Sequence, residues 1–289
     1  MLNANAKKMN RRTFVKGISA TVAATMILPT DLLALPKKKI IGIQLYTLRD
    51  LIAADFLGTL KKIRKAGYNS VEAAGYGDRK FYGYSPQEYK KIVSDLGLLP
   101  TSSHSGANIG NIKQVIEDHL AAGMDYIVIP WIPKEKYNTP DSYKKLATEF
   151  NEMGKLCNEA GLKFGYHNHA FEFEKMNGEI PYDILIENTD PKYVFMQVDL
   201  YWMVYGGHQP EEYFTRYPGR FELWHIKDMD NTENRECTEI GDGIINYAKV
   251  FKMKDLSGMK HFFVEQEAFK MDPIKSIRKS YKFLQSLTY

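Results

Sequence analysis

From Lys39 onward the chain alternates short apolar runs with longer amphipathic stretches, eight of each, and this alternation constrains the fold more than any other feature. The apolar runs, at residues 40–45, 70–74, 98–103, 126–131, 162–169, 193–199, 222–227 and 261–267, have the length and composition of buried strands. Between them the spacing is helical. Phe56, Leu60 and Ile63 fall at i, i+4 and i+7 before Gly67; Tyr89, Ile92 and Leu96 repeat the pattern before Gly97. Ile112, Val115, Ile116 and Leu120 precede Gly123, and residues 141–160 form the longest helical stretch, closed by Gly161. Shorter helices are expected at 182–187, 210–217, 244–253 and 273–287. Eight strand–helix pairs in about 250 residues predict a single-domain α/β (β/α)8 TIM barrel. An open doubly wound sheet would usually carry a glycine-rich phosphate loop after an early strand, and neither GxGxxG nor GxxxxGK occurs.

The segment before this barrel, residues 1–36, has a different character. Lys7, Lys8, Arg11, Arg12 and Lys16 against Asp31 account for the whole net charge of +4, so the barrel itself, residues 37–289, is balanced. That removes the electrostatic case for a nucleic-acid partner. Arg11-Arg12 with Phe14 and Lys16 precedes an apolar run at 18–28 that is too short to span a bilayer. The segment resembles a twin-arginine export signal, with Asn10 where Ser or Thr is usual. A periplasmic location, with no membrane attachment of the mature form, is the expectation. Cys157 and Cys237 lie far apart without CxxC pairing, which indicates neither a disulfide framework nor a thiolate metal site.

In a (β/α)8 barrel, chemistry sits at the C-terminal strand ends. Read there, this chain offers Gln44 and Tyr46, Glu72, His104, Trp131, His167 and His169, Asp199 and Trp202, His225 and Lys227, and Glu265 with Glu267. His167, Asp199, His225 and Glu265 come from four consecutive strand ends and offer nitrogen and carboxylate donors without sulfur. That set suits one divalent ion such as Mn²⁺, Co²⁺ or Zn²⁺ with positions left for substrate oxygens. Each residue alone has an ordinary structural explanation; their convergence is what points to a metal. Spacing alone leaves open which of His167 and His169 is the strand-five ligand.

These same segments carry a resemblance. Ile43-Gln44-Leu45-Tyr46, Tyr166-His167-Asn168-His169, Val198-Asp199, Trp224-His225-Ile226-Lys227-Asp228 and Val264-Glu265-Gln266 resemble the xylose-isomerase-like barrel superfamily. They are closest to its sugar phosphate isomerase/epimerase branch, which includes inosose dehydratases and keto-glycoside-cleaving enzymes. The resemblance implies a metal held by a strand-five Glu, a strand-six Asp, a strand-seven His and a strand-eight Glu. Asp199, His225 and Glu265 match; His167 stands where the family has Glu, which puts a symmetric two-carboxylate epimerase mechanism in doubt. It further implies a small-molecule carbohydrate substrate, and a homo-oligomer is compatible with it.

The expected chemistry is removal of a proton α to the carbonyl of a keto sugar, with Lewis-acid stabilisation of the enediolate. Glu265, His169 and Glu172 are the candidate bases. Lys227 is read either as a substrate or leaving-group contact or as an ion pair to a barrel carboxylate such as Glu72. Gln44, Tyr46, Glu72, His104, Trp131 and Trp202 are the candidate substrate contacts. Reprotonation gives isomerisation or epimerisation; loss of a β-leaving group makes the same site a lyase or dehydratase acting on a 3-keto-glycoside or inosose-like substrate. The competing classes are a non-catalytic carbohydrate-binding barrel, a two-carboxylate glycosidase through Glu172 and Glu265, and a DNA-repair nuclease, which the balanced charge disfavours.

Overall fold

A computed structural model describes residues 39–288; the proposed export segment lies outside the described residues. Eight parallel strands close into a barrel: β1 (Gly42–Gln44), β2 (Ser70–Ala73), β3 (Leu99–His104), β4 (Tyr126–Ile129), β5 (Lys163–His167), β6 (Val194–Asp199), β7 (Leu223–Ile226) and β8 (His261–Val264). Each pairs with its sequence neighbours, and β1 closes the ring on β8 through Gly42↔Phe263 and Ile43↔Val264. The outer layer is α1 (Phe56–Ala66), α2 (Pro86–Asp95), α3 (Ile112–Ala122), α4 (Pro140–Glu159), α5 (Pro181–Asn188), α6 (Pro210–Arg216), α7 (Tyr247–Val250) and α8 (Pro273–Ser286).

Local chemistry sets these limits. The helices α2, α4 and α8 begin at a proline behind a capping Ser85, Thr139 or Asp272, whose side-chain oxygen accepts a backbone N–H of the first turn. Helix α3 stops where Gly123 turns left-handed at φ +73°, a conformation that frees the chain to enter β4. The expected helix at 244–253 is only one α-turn, α7, followed by a 3₁₀ turn at Phe251–Met253 and a further turn at Lys254–Ser257. Two features were not expected: antiparallel ribbons after β2 (Tyr76–Gly77 with Lys80–Phe81) and after β7 (Asp228–Met229 with Cys237–Thr238). Asp228 organises the second loop by accepting the N–H groups of Met229, Gly241, Gly243 and Ile245.

Among the described residues there are two cores. The larger fills the space between strands and helices. The smaller plugs the barrel itself and comprises Tyr126, Val128, Phe195, Leu223 and Phe263. Strand alternation places this apolar plug directly beneath the inward residues two positions further along. Glycine makes room for it: a Cβ on Gly165 would lie 2.6 Å from the Phe195 ring, and one on Gly42 would lie 2.4 Å from Phe263. The plug gives the polar layer above it a dry floor. Cys157 and Cys237 are both free and buried. No helix among the described residues is long and apolar enough to cross a membrane.

Candidate active site

Above the plug the inward residues turn polar on nearly every strand. Gln44, Glu72, Ser102, Gln197, Asp199 and His225 are fully buried, and His167 and Glu265 nearly so. Burying this many polar groups requires that they satisfy one another, and the network that does so starts at Glu72. Its two carboxylate oxygens accept from Gln44 Nε2 (2.8 Å), Ser102 Oγ (2.7 Å), Gln197 Nε2 (2.7 Å) and His225 Nε2. Burial works to raise this carboxyl, but His104 and then His225 outweigh it and hold it below its ordinary value.

Because an ionised carboxylate only accepts, Gln197 must present its amide N–H to Glu72 and its carbonyl oxygen to the other side. There Oε1 meets His104 Nε2 at 2.6 Å and His167 Nδ1 at 3.1 Å, so both rings donate. Burial, reinforced by the neighbouring His225, pushes the His167 pKa well down, leaving the ring neutral. With the proton on Nδ1, the bare Nε2 faces Asp199 Oδ2 at 3.9 Å. The same logic orients His225: Nε2–H is committed to Glu72, and Nδ1 faces Glu265 Oε2 at 3.0 Å. Burial opposes charging of His225, but Glu72 and Glu265 outweigh it and lift the ring to about 10.

One donor atom from each of His167, Asp199, His225 and Glu265 lies within 4.8 Å of the others, and His104, His167 and His225 form an overlapping group. The residues fit a divalent cation. The donors are nitrogen and oxygen, and carboxylates outnumber cations in the pocket floor: Glu72, Asp199, Glu265 and Glu267 against Lys227 and His225, whose Nδ1 proton a bound cation would replace. Asp199 Oδ2 is buried without a hydrogen-bond partner, and burial raises this carboxyl to about 6 despite Lys227 beside it. The Glu72–His225 and Gln197–His167 contacts are the kind of outer support that fixes ligand tautomers.

Directly over this group opens a cavity of ≈ 450 Å³ at the C-terminal end of the barrel, walled by Tyr46, Tyr76, His104, Trp131, His167, His169, Trp202, Glu265 and Glu267. The structure therefore brings together Tyr46, His104, Trp131, His167, His169, Trp202 and Glu265. Strand β5 ends at His167, so His169 reaches the cavity from the following turn and not by strand alternation. Its ring lies 5.1 Å from that of His167, and its buried Nδ1 has no hydrogen-bond partner. Burial, aided by Lys227, lowers its pKa to about 4.

Four expected site residues stand off the cavity wall. Gln44 and Glu72 lie beneath the cavity and hold other side chains; they are not on its wall. Glu172 is fully buried behind β5: one oxygen accepts from Tyr166 Oη and the other from His169 N at 2.9 Å. The reading of Glu172 as a base is corrected accordingly, because both oxygens are committed and neither faces the cavity. Its burial raises it to about 7. Glu172 instead pins the turn that presents His169. Lys227 is completely buried and pairs with Glu267 (2.6 Å), Glu265 (3.0 Å) and Asp199 (3.1 Å), not with Glu72. Gln197, which sets the imidazole tautomers, was not picked out from the sequence. It lies two positions before Asp199, on the same face of β6, and strand periodicity was the available signal.

The chain belongs to the xylose isomerase-like TIM barrel family, whose profile matches residues 60–287. A sugar phosphate isomerase/epimerase from Parabacteroides distasonis ATCC 8503 superposes with a TM-score of 0.76 at 30% identity, covering 88% of this chain and 96% of that one. An inosose dehydratase of Bacillus cereus (strain AH820) is 28% identical over 176 residues, 54% of this chain and 58% of its own length. The chain thus spans little more than half the length of the curated relatives it matches. The IOLI protein, in a structure with a binding zinc atom, shares the fold at a TM-score of 0.66 and 14% identity, over 86% of this chain and 98% of that one.

Proposed function

We propose that the protein is a divalent-metal-dependent enzyme that removes a proton α to the carbonyl of a keto sugar, as sugar isomerases and epimerases do. The observation that carries this reading is the convergence of His167, Asp199, His225 and Glu265 at the floor of a sugar-sized cavity. A bound cation supplies Lewis-acid polarisation of a carbonyl and its neighbouring hydroxyl. The chain supplies the rest. Glu265 and His169 are the proton acceptors at the cavity wall, and Glu172 holds the His169 turn in place. Lys227, fully buried among Asp199, Glu265 and Glu267, holds these carboxylates in position. Trp131, Trp202 and Tyr46 offer faces for a sugar ring, and His104 is the polar contact between them.

A second reading is a lyase or dehydratase acting on a 3-keto-glycoside or an inosose-like substrate. It is favoured by His167. Where the family resemblance implies a carboxylate on strand five to pair with that on strand eight, this chain has an imidazole whose Nδ1 is tied to Gln197. A pair of acids on opposite sides of the substrate is what epimerisation uses, and this wall has Glu265 and Glu267 from the same strand end. We further propose that residues 1–36 direct export by the twin-arginine route. That makes an unphosphorylated sugar the natural substrate class.

The test is to measure metal bound to the purified protein, then to incubate it with free ketoses and 3-keto-glycosides in D₂O. Solvent deuterium in recovered sugar supports isomerase or epimerase chemistry, and release of an aglycone or water supports elimination. Full activity after chelation and in His225→Ala refutes a metal-dependent reaction.

A further inference from the structure

We infer that the ligand is extended: a keto sugar carrying an aromatic substituent, whose ring fills a second cavity beside the central one. The inference rests on the sugar-site reading of the central cavity.

The second cavity measures ≈ 480 Å³ and shares Tyr46 and Ala74 with the first, so the two lie side by side at the half-exposed Tyr46 side chain. Each alone is large enough for one ring system. The walls of the second are Ile52, Phe56, Tyr82 and Tyr84, with the Arg49 guanidinium lying 4.7 Å from the Tyr46 ring centroid. Arg49 donates to the carbonyls of Tyr46 (3.3 Å) and Glu267 (3.0 Å), which holds it flat as part of the wall. Flat aromatic faces and a stacked guanidinium suit a planar ring.

This wall is built, at a cost to the backbone. Tyr82 is held at φ +53°, with Asp78 and Arg79 of the same ribbon also at positive φ. Such conformations persist only where surrounding contacts fix them. Here the Ala74 N–H donates to Tyr82 Oη at 2.8 Å, Tyr82 N donates to the Gly75 carbonyl at 2.8 Å, and the Tyr82 ring stacks on Phe56 at 4.9 Å. Gly75 is what lets the ring lie against the end of β2, since a Cβ there would fall 2.4 Å from it. Arg79, clasped by Asp118 at 2.8 Å, anchors the ribbon from outside. The opposite flank is more polar: beyond Trp202 and Glu267 lies a cavity whose aromatic walls, Tyr201, Tyr205 and Phe269, are interrupted by Asn234, Glu236 and Lys270. The apolar substituent therefore points to the Tyr82 side.

The test uses the metal-loaded full-length protein and three ligands: phenyl 3-keto-glucoside, methyl 3-keto-glucoside and a 3-keto-glucose 6-phosphate. Ala53→Trp fills the second cavity from an exposed position on the short helix Arg49–Ala54 and reaches the central site only through the shared Tyr46 and Ala74. Calorimetry should show the phenyl ligand binding about tenfold tighter than the methyl ligand, the scale of a favourable aromatic contact. Ala53→Trp should abolish that ratio while leaving methyl binding unchanged. Equal affinities in the wild type, a preference that survives Ala53→Trp, or tightest binding of the phosphate would each overturn the inference. Should none of the keto sugars be turned over, the reaction reading fails separately. Saturation-transfer NMR with phenyl β-glucoside then decides the subsite: transfer to the phenyl protons that Ala53→Trp removes supports it, and absence of transfer overturns it.

Discussion

Replacing Glu72 by glutamine removes one atom's worth of chemistry from the floor of the site while keeping its shape. Glu72 accepts four hydrogen bonds, two on each oxygen. An amide accepts on one side only. Its least costly orientation keeps Oε1 toward His225 and Gln44 and turns its NH₂ toward Ser102, whose hydroxyl can rotate to accept, and toward Gln197, which must flip. A flipped Gln197 presents NH₂ to His104 and to His167 Nδ1, which are themselves donors. The substitution thus reverses the His167 tautomer and moves its bare nitrogen away from Asp199. Charge-assisted bonds to Glu72 weaken and His104 and His167 are forced into the opposite tautomers, a loss of about 3 kcal/mol. In a domain of this size that lowers Tm by roughly 6–12 °C. Outer-support losses of this kind reduce metal affinity about 10–100-fold. Thermal unfolding of metal-free protein and calorimetric titration with Mn²⁺ or Zn²⁺ read the two effects separately. A Tm within about 2 °C of wild type, together with unchanged metal affinity, would refute the claim that Glu72 sets the tautomers.

Three further outcomes are expected. His119 is buried with Nδ1 donating to the Val115 carbonyl and Nε2 at 3.0 Å from Ser105 Oγ, and burial lowers it to about 4. Its folded pKa lies below the unfolded value, so its contribution is fully present above pH 6.5 and lost as pH falls toward 4. That amounts to about 3 kcal/mol, and urea denaturation across this window should show the slope reduced in His119→Gln. Gly165→Ala forces a methyl against Phe195 in the barrel plug and should cost about 1–3 kcal/mol, read as a lower urea midpoint; an unchanged midpoint would show that the plug yields freely. Paired Arg11→Lys and Arg12→Lys substitutions should stop export, and cell fractionation that still finds the protein in the periplasm would remove the twin-arginine proposal.

Period-two and period-3.6 patterning was enough to read the barrel, because each strand and helix must bury one defined face and those faces are written locally. The same patterning located His167, Asp199, His225 and Glu265, since a barrel sends every strand's last inward residue to one end. It failed where direction depends on partners. Glu172 read as an acid at the cavity and proved to be buried behind β5, because Tyr166 Oη and His169 N–H compete for it and win. Gln44 and Glu72 read as substrate contacts and proved to be supports below the floor. The sequence by itself therefore determined the architecture, the strand ends that meet, and the donor chemistry they bring. Only the tertiary structure decided which nitrogen of His167 is bare, that Lys227 is neutralised by three carboxylates, and that Tyr82 walls a second cavity. These depend on hydrogen bonds and contacts between residues that lie far apart in the chain, such as Glu72 with His225 and Lys227 with Glu267, and no local pattern encodes them.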